Sequence, residues 1–377
     1  MALLGAVCSC GSSTSSSGCP YSPTDAVVVA AVAPDYSSSG VGALPLDGTP
    51  AELQLGNVLL GTDPALATSA GQYFFIARDL DTFYPIDECG HGLAEYSARA
   101  PGECPSSNPG SCVDPQDVAV ASDGSLWVAR FNVPSLLVIP PASSMMPDNV
   151  VDMSAFDPTD GNPRMASVRI LGQNAFIALE RITQQPSGFV SEQTSQMAVL
   201  DTTSFKTVAT VTLAGRNPFG LMVELNGTLW LADAGNFGSS EANAGIEVFD
   251  TTSMTSTLLI AEPTLGGWVT QVAPSSTCGA AIVSQAEPAG PPTPTPTWLV
   301  AFAWSGTTAS NITTVIQPTA GYDLQGLLWT KDGRLLIGDW RGGPPFLVHT
   351  FTADGACALT PGPDLTVPTL APLAFAN

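Results

Sequence analysis

The chain has 377 residues, with 33 acidic and 11 basic side chains and a net charge of −22. That field repels polyanions and argues against nucleic acid or an anionic membrane surface as a partner. Charged residues make up only 12%, while Gly (36) and Pro (33) are abundant, a balance that excludes disorder and points to an all-β chain rich in turns.

In chain order, residues 1–22 read as a signal remnant and tether ahead of one domain, residues 23–377. Met1 to Val7 is apolar and runs into Cys8-Ser9-Cys10 and a Ser-rich stretch. A full secretory signal would carry a charged start and a longer apolar core. The segment resembles a bacterial lipobox, in which a Cys after small residues is diacylated. Val7-Cys8-Ser9 before Cys10 fits that pattern better than Gly5-Ala6-Val7 before Cys8; the competing reading is an apolar start with two ordinary cysteines. The resemblance implies a lipid-anchored protein outside the cytoplasm, in the periplasm or on the outer membrane or cell surface of a bacterium, touching the membrane only through its anchor. No run of about 18 apolar residues is present to cross a bilayer. The eight cysteines suit an oxidising compartment. Without a C-x-x-C pair or zinc-ribbon spacing, disulfides are favoured over metal, with the pairing open.

One feature then recurs: three or four apolar residues ending in a small one, just after a tight turn. It appears first as Val27-Val28-Val29-Ala30, and clearly as Leu126-Trp127-Val128-Ala129 and Leu229-Trp230-Leu231-Ala232. The small residues Ala30, Ala77, Ala129, Ala178, Ala232, Ser284 and Gly338 lie 47, 52, 49, 54, 52 and 54 positions apart. Seven markers at six near-equal intervals of this size predict a seven-bladed β-propeller of four-stranded antiparallel blades. Asp123-Gly124, Asn226-Gly227 and Asp332-Gly333 precede their markers as hairpin turns. Two further strands follow, as in Gln196 to Thr203 and then Thr207 to Leu213. The first unit lacks its innermost strand, since the chain enters at Asp25-Ala26-Val27. Ala371 to Ala376 resembles such a strand without a blade, so it is expected to complete the first blade and close the ring, which removes the exposed edges. A six-bladed ring with a stray hairpin is the alternative.

Met197 to Val211, followed by Asn217-Pro218-Phe219-Gly220, resembles the repeat of YVTN-type propellers. Pro115 to Val120 through Leu126 to Ala129 is similar to NHL-type repeats. The resemblance implies the propeller fold and says little about activity, because such rings host many functions.

The end of each second strand and the start of each first strand should share one rim, together with the longest loops. Arg78, Arg130, Arg181 and Arg341 fall just past or at the markers, and Arg164 and Arg216 at the starts of first strands. Six of eleven basic residues thus map to one rim, where they could converge on an anionic ligand through forked hydrogen bonds. Alternatively, each ties blade to blade by pairing with acids such as Asp233 and Asp339. Trp268 and Trp340 sit near the same rim, to stack on a sugar or to pack between blades.

Catalytic patterns are sparse. His91 and His349 stand apart, and no G-x-S-x-G elbow or nucleotide loop exists. A propeller resembling the gluconolactonase family would hold a divalent ion with Glu, Asn and Asp around the channel. Asp233 falls at that family's aspartate position, but Phe219-Gly220 replaces the preceding Asn-Gly. The carboxylates of Asp79-Leu80-Asp81 and of Asp157 to Asp160 could hold calcium, or could be solvated turns. The expectation is a monomeric, non-enzymatic binding protein without cofactor or metal. Its partner would be a protein or an anionic or carbohydrate ligand, held at the loop-bearing face. A metal-dependent hydrolase or lactonase is the alternative.

Overall fold

The computed structural model describes residues 19–54, 60–104, 111–141, 148–186, 188–285, 296–319, 321 and 323–377. Cys8, Cys10, the Ser-rich tether and most of the Pro-rich loop before Thr297 lie outside them. Seven four-stranded antiparallel sheets form the blades of a propeller, the seventh carrying a short extra strand, Leu365–Val367. The innermost strands, from the second blade onward, are Pro64–Ser69, Pro115–Val120, Met165–Leu171, Pro218–Leu225, Trp268–Pro274 and Leu324–Trp329.

The first blade takes its innermost strand from the other end of the chain. Ala371–Ala376 pairs antiparallel with Ala26–Val32, setting Val28 against Ala376 and Val32 against Ala371. The ring therefore closes as the sequence requires, with the first and last strands in one sheet.

Each marker is a second strand buried on both faces, and Ala26–Val32 is buried at all seven positions. Successive side chains of a strand point to opposite faces, so one strand serves two blade interfaces. Trp127 and Ala129 pack toward the fourth blade, against Val168 and Ile177. Leu126 and Val128 pack toward the second, against Phe74 and Ile76. A cluster of this kind fills each of the seven interfaces around the ring. Burying a Leu, Val or Phe contributes about 1.5–3 kcal/mol, so most of the fold's stability lies between blades. The outermost strands carry Thr at exposed positions, as in Thr207–Thr212.

Of the three Asx-Gly pairs, Asn226-Gly227 alone makes the two-residue turn, with φ of 53° and 79°. At Asp123 and Asp332 only the glycine adopts positive φ. There the aspartate braces a longer turn, Asp123 by accepting the Ser125 N–H at 2.9 Å.

Three disulfides form: Cys19–Cys89, Cys104–Cys112 and Cys278–Cys357. The first ties the segment before the first blade to the second blade, and the last joins the sixth and seventh.

Candidate functional site at the channel mouth

The seven innermost strands enclose a central cavity of about 1110 Å³. At its loop-bearing end the lining divides into two kinds of surface. One part is polar, built from Asp63, Arg78, Asp114, Gln116 and Glu180; the other is aromatic, built from Phe131, Phe189, Phe219 and Phe237.

The polar part begins with a repeated dipeptide. Asp63-Pro64 and Asp114-Pro115 open the second and third blades, with proline at the first residue of the strand, where no ladder N–H is lost. The Asp63 carbonyl accepts the Arg78 N–H at 3.1 Å, and the Asp114 carbonyl accepts that of Phe131 at 2.9 Å. These bonds bring the first residue past each second strand to the mouth. Arg78 forks between Asp63 and Gln116, whose Oε1 accepts at 3.1 Å. Gln116 Nε2 in turn donates to Asp114 Oδ1 at 2.7 Å. Glu180 is only 4% exposed, and no side chain among the described residues hydrogen-bonds its carboxyl. Burial pushes Asp114 up to about 6, with Asp63 and Asp81 adding to it and Arg78 opposing. Burial and the neighbouring Asp114 push Glu180 well above the usual carboxylate range, against Arg164. Both carboxyls thus hold protons more tightly than an exposed acid.

In the aromatic part, Phe131 and Phe189 meet edge to face at 5.3 Å, as do Phe219 and Phe237. Phe237 is 41% exposed, so its ring offers apolar area to a ligand at the cavity wall.

The six rim arginines do not converge. Arg78 alone of the six lines the cavity. Arg130 is fully buried between strands, donating to the Ser135 carbonyl at 2.9 Å and the Ala98 carbonyl at 3.1 Å and pairing with Glu103. Arg164 pairs with Asp160 at 3.0 Å and lies over Phe131 and Phe189, 5.5 and 5.4 Å from their ring centres. Arg181 holds its own loop through the Thr194 carbonyl and Gln193, both at 2.7 Å. Arg216 reaches the Ser191 carbonyl at 3.4 Å. Arg341 forks onto Asp339, which also accepts from His349 Nε2 at 2.8 Å.

Trp268 packs 5.7 Å from Phe237 and donates to the Gln285 carbonyl at 3.2 Å. Trp340 packs 5.9 Å from Tyr36 and donates to the Pro372 carbonyl at 2.6 Å. Both therefore stand behind cavity-lining rings, Phe237 and Tyr36.

Asp233 is completely buried, and neither of its carboxyl oxygens accepts from a donor group; its hydrogen bond is a proton shared with the Glu247 carboxyl. It lies beside Glu247, itself buried and held by the Gly215 N–H at 2.6 Å. A Cβ on residue 215 would stand 1.9 Å from Asp233 Oδ2, so only glycine fits there. Among the described residues no group of three His, Cys, Asp or Glu side chains is arranged to hold a metal. The Asp79 and Asp81 carboxylates are not solvated turns. Asp79 accepts from Thr62 N–H and hydroxyl, both at 2.9 Å. Asp81, fully buried, gathers the N–H groups of Cys112, Val113 and Asp114 and folds the Cys104–Cys112 loop.

No protein-family model matches the sequence, and no curated protein matches it. Three solved structures are similar in shape. The dihydro-heme d1 dehydrogenase NirN in complex with DHE aligns with a TM-score of 0.52 at 13% identity, over 92% of this chain and 74% of that one. The periplasmic gluconolactonase PpgL of Pseudomonas aeruginosa aligns with a TM-score of 0.52 at 14% identity, over 93% and 99%. A streptogramin B lyase aligns with a TM-score of 0.50 at 12% identity, over 82% and 86%. At such identities the likeness concerns the fold alone: the chain is a seven-bladed β-propeller with structural neighbours among differently named propeller proteins.

Proposed function

We propose that the protein is an extracytoplasmic binding propeller that seats a ligand in the mouth of its channel, on the loop-bearing face. The observation that carries this reading is the mixed lining, in which hydrogen-bonding groups from Asp63 to Glu180 and phenylalanine rings share one cavity. Ligand sites are concave and largely apolar, with a few fixed polar groups. The three disulfides support folding in an oxidising compartment. Anchoring through a lipid on Cys10, or Cys8, belongs to the same proposal. So does the YVTN- or NHL-type ancestry of the repeats. Of the ligand chemistries considered from sequence, an anion draws least support, because Arg78 is already engaged by Asp63 and Gln116. Native mass spectrometry of the purified chain, with melting shifts for a ligand panel, tests the reading. A ligand that shifts the wild type should lose its effect in Phe219→Ala. Retained shifts would place binding elsewhere.

An enzymatic second reading rests on Asp114 and Glu180. Two carboxyls with raised proton affinity in one cavity, Glu180 buried and Asp114 partly so, can serve as general acid and base. Fold neighbours named as a gluconolactonase and a streptogramin lyase make the class worth assaying. Turnover of aldonolactones that disappears in both Asp114→Asn and Glu180→Gln would favour it over simple binding.

A further inference from the structure

Charge in the channel mouth is unevenly matched. Asp63, Asp114 and Glu180 line it, and both arginines of the cavity wall are engaged, Arg78 by Asp63 and Gln116 and Arg169 by Asp117. Asp114 accepts from one neutral side chain, Gln116, and Glu180 from none. Arg164, whose charge acts on Glu180, is already paired with Asp160 at 3.0 Å. Two carboxyls thus face a cavity in which, among the described residues, no unpaired cation stands beside them, a costly arrangement unless something else supplies the charge. Phe219 and Phe237 line the same cavity, and among the described residues no cation lies over their faces, unlike the Phe131 and Phe189 rings beneath Arg164. Aromatic faces beside carboxylates form the setting in which organic ammonium groups are held.

Resting on the binding reading above, we propose that the ligand is an organic ammonium ion. Its positive charge sits between Asp114 and Glu180, and its apolar body lies on Phe219 and Phe237. An anion would meet three acids there, and a neutral sugar would leave both carboxyls unpaired.

Binding of such a cation is linked to protons. Glu180 is faced by Asp114 and Arg164, and Asp114 by Arg78, Asp63, Asp81 and Gln116. At pH 5 the ligand must displace a proton from a carboxyl that titrates near 6, which weakens binding about tenfold for that group alone. Affinity should therefore rise with pH and binding should release protons.

Isothermal titration of the full chain with benzyltrimethylammonium at pH 5 and pH 8 tests this, with gluconate and methyl glucoside as comparison probes at equal ionic strength. The expected result is binding at least about tenfold tighter at pH 8, lost in Glu180→Gln and weakened in Phe237→Ala. Thermal melts check that each variant is folded. Phe237, being exposed, keeps the test alive if the Glu180 variant is not. Absence of binding by the ammonium probe, or binding indifferent to pH and to Glu180→Gln, overturns the proposal. Should gluconate or the glucoside bind instead and be lost in Phe237→Ala, the cation assignment fails while the mouth remains the site. If a probe binds and Phe237→Ala leaves it unchanged, both fall.

Discussion

Arg169 and Asp117 join the innermost strands of the third and fourth blades through an ion pair inside the wall of the ring. Asp117 is fully buried and also accepts from Ser167 Oγ at 2.6 Å and Val168 N–H at 2.9 Å. Ser167 Oγ in turn accepts the Met222 N–H of the fifth blade at 3.0 Å, so one polar chain spans three blades. Removing one partner leaves a buried charge uncompensated. Arg169→Met is expected to lower stability by about 3 kcal/mol, whereas Asp117→Asn with Arg169→Met, which removes the charge but keeps an acceptor for Ser167 and Val168, should recover most of that loss. Urea midpoints of the two variants decide it; equal losses would mean that the charge itself is not what the wall needs.

Closure of the ring makes a second expectation. Phe375 packs with Val27 and Val29 of the first blade and Leu336 of the seventh. Truncation after Pro368 would strip the first blade of its inner strand, expose a sheet edge and open that interface. The shortened chain is expected to aggregate or to melt far lower. A soluble truncation with unchanged melting would show that the first blade stands without its C-terminal strand.

The repeats were legible because a second strand buried on both faces reads as an unbroken apolar run, and the missing first strand pointed to Ala371–Ala376. The mouth was harder to read because one residue changes the outcome. Arg130, Asp233 and Asp339 are each the last residue of a second strand and turn away into buried contacts. Arg78, Phe131 and Glu180 come one residue later and line the channel. Grouping both positions as one rim brought together arginines that the alternation of a strand keeps apart. Asp63-Pro64 and Asp114-Pro115 were a usable signal, since the dipeptide recurs at the start of two blades. Phe189 sits on a short hairpin, Thr183–Gln185 with Gly188–Val190, inserted into the fourth blade, and Phe237 in an irregular loop, so neither follows the blade period.

Asp233 gives a pH-dependent expectation. Burial and then the adjacent Glu247 raise its proton affinity well above the usual range. Burial likewise pushes Glu262 up to about 8, against N–H bonds from Glu241 and Val269. Such groups keep protons in the folded state that the unfolded chain releases near pH 4. Their stabilising effect is complete below that pH and is lost as pH climbs toward 8. Asn at 233 needs no proton, and its Nδ2 can donate to the Glu247 carboxylate in place of the shared proton, so Asp233→Asn should be more stable than wild type by about 1–2 kcal/mol at pH 8. Near pH 4 the two should match. A variant weaker at both pH values would mean that Asp233 is ionised in the fold.

His349 behaves in a related way. Its ring bridges Asp339 at 2.8 Å and Asp364 at 2.9 Å, and the hydrogen bond to Asp339 raises its proton affinity despite burial. Burial works against Asp339's ionisation, but His349 and Arg341 hold its carboxyl well below the usual range. The imidazolium contribution is complete below about pH 6.5 and fades as pH rises through the folded value. The Asp339 contribution is present above about pH 4 and fades in acid. Melting of the wild type should fall more between pH 6 and 8 than melting of His349→Gln. Parallel curves would show that the ring is neutral throughout.

The rim arginines separate struts from surface. Arg130 has no exposed side-chain area and pairs with Glu103, whose side chain is 19% exposed. Arg130→Gln leaves the Ser135 and Ala98 carbonyls and a half-sheltered carboxylate short of donors. The expected loss is about 3 kcal/mol, the low end for a broken buried pair because water can reach Glu103. Arg341 is 46% exposed, and its partner Asp339 keeps His349, so Arg341→Gln should cost about 0–1 kcal/mol. The single variants therefore carry more information than the pair. Melting each one, with and without sulfate, tells whether either arginine serves an anion. A large loss at 130, a small one at 341 and no sulfate shift in the wild type would assign both to the ring's own structure. A sulfate shift abolished by Arg341→Gln alone would return an anion site to the rim, outside the channel mouth.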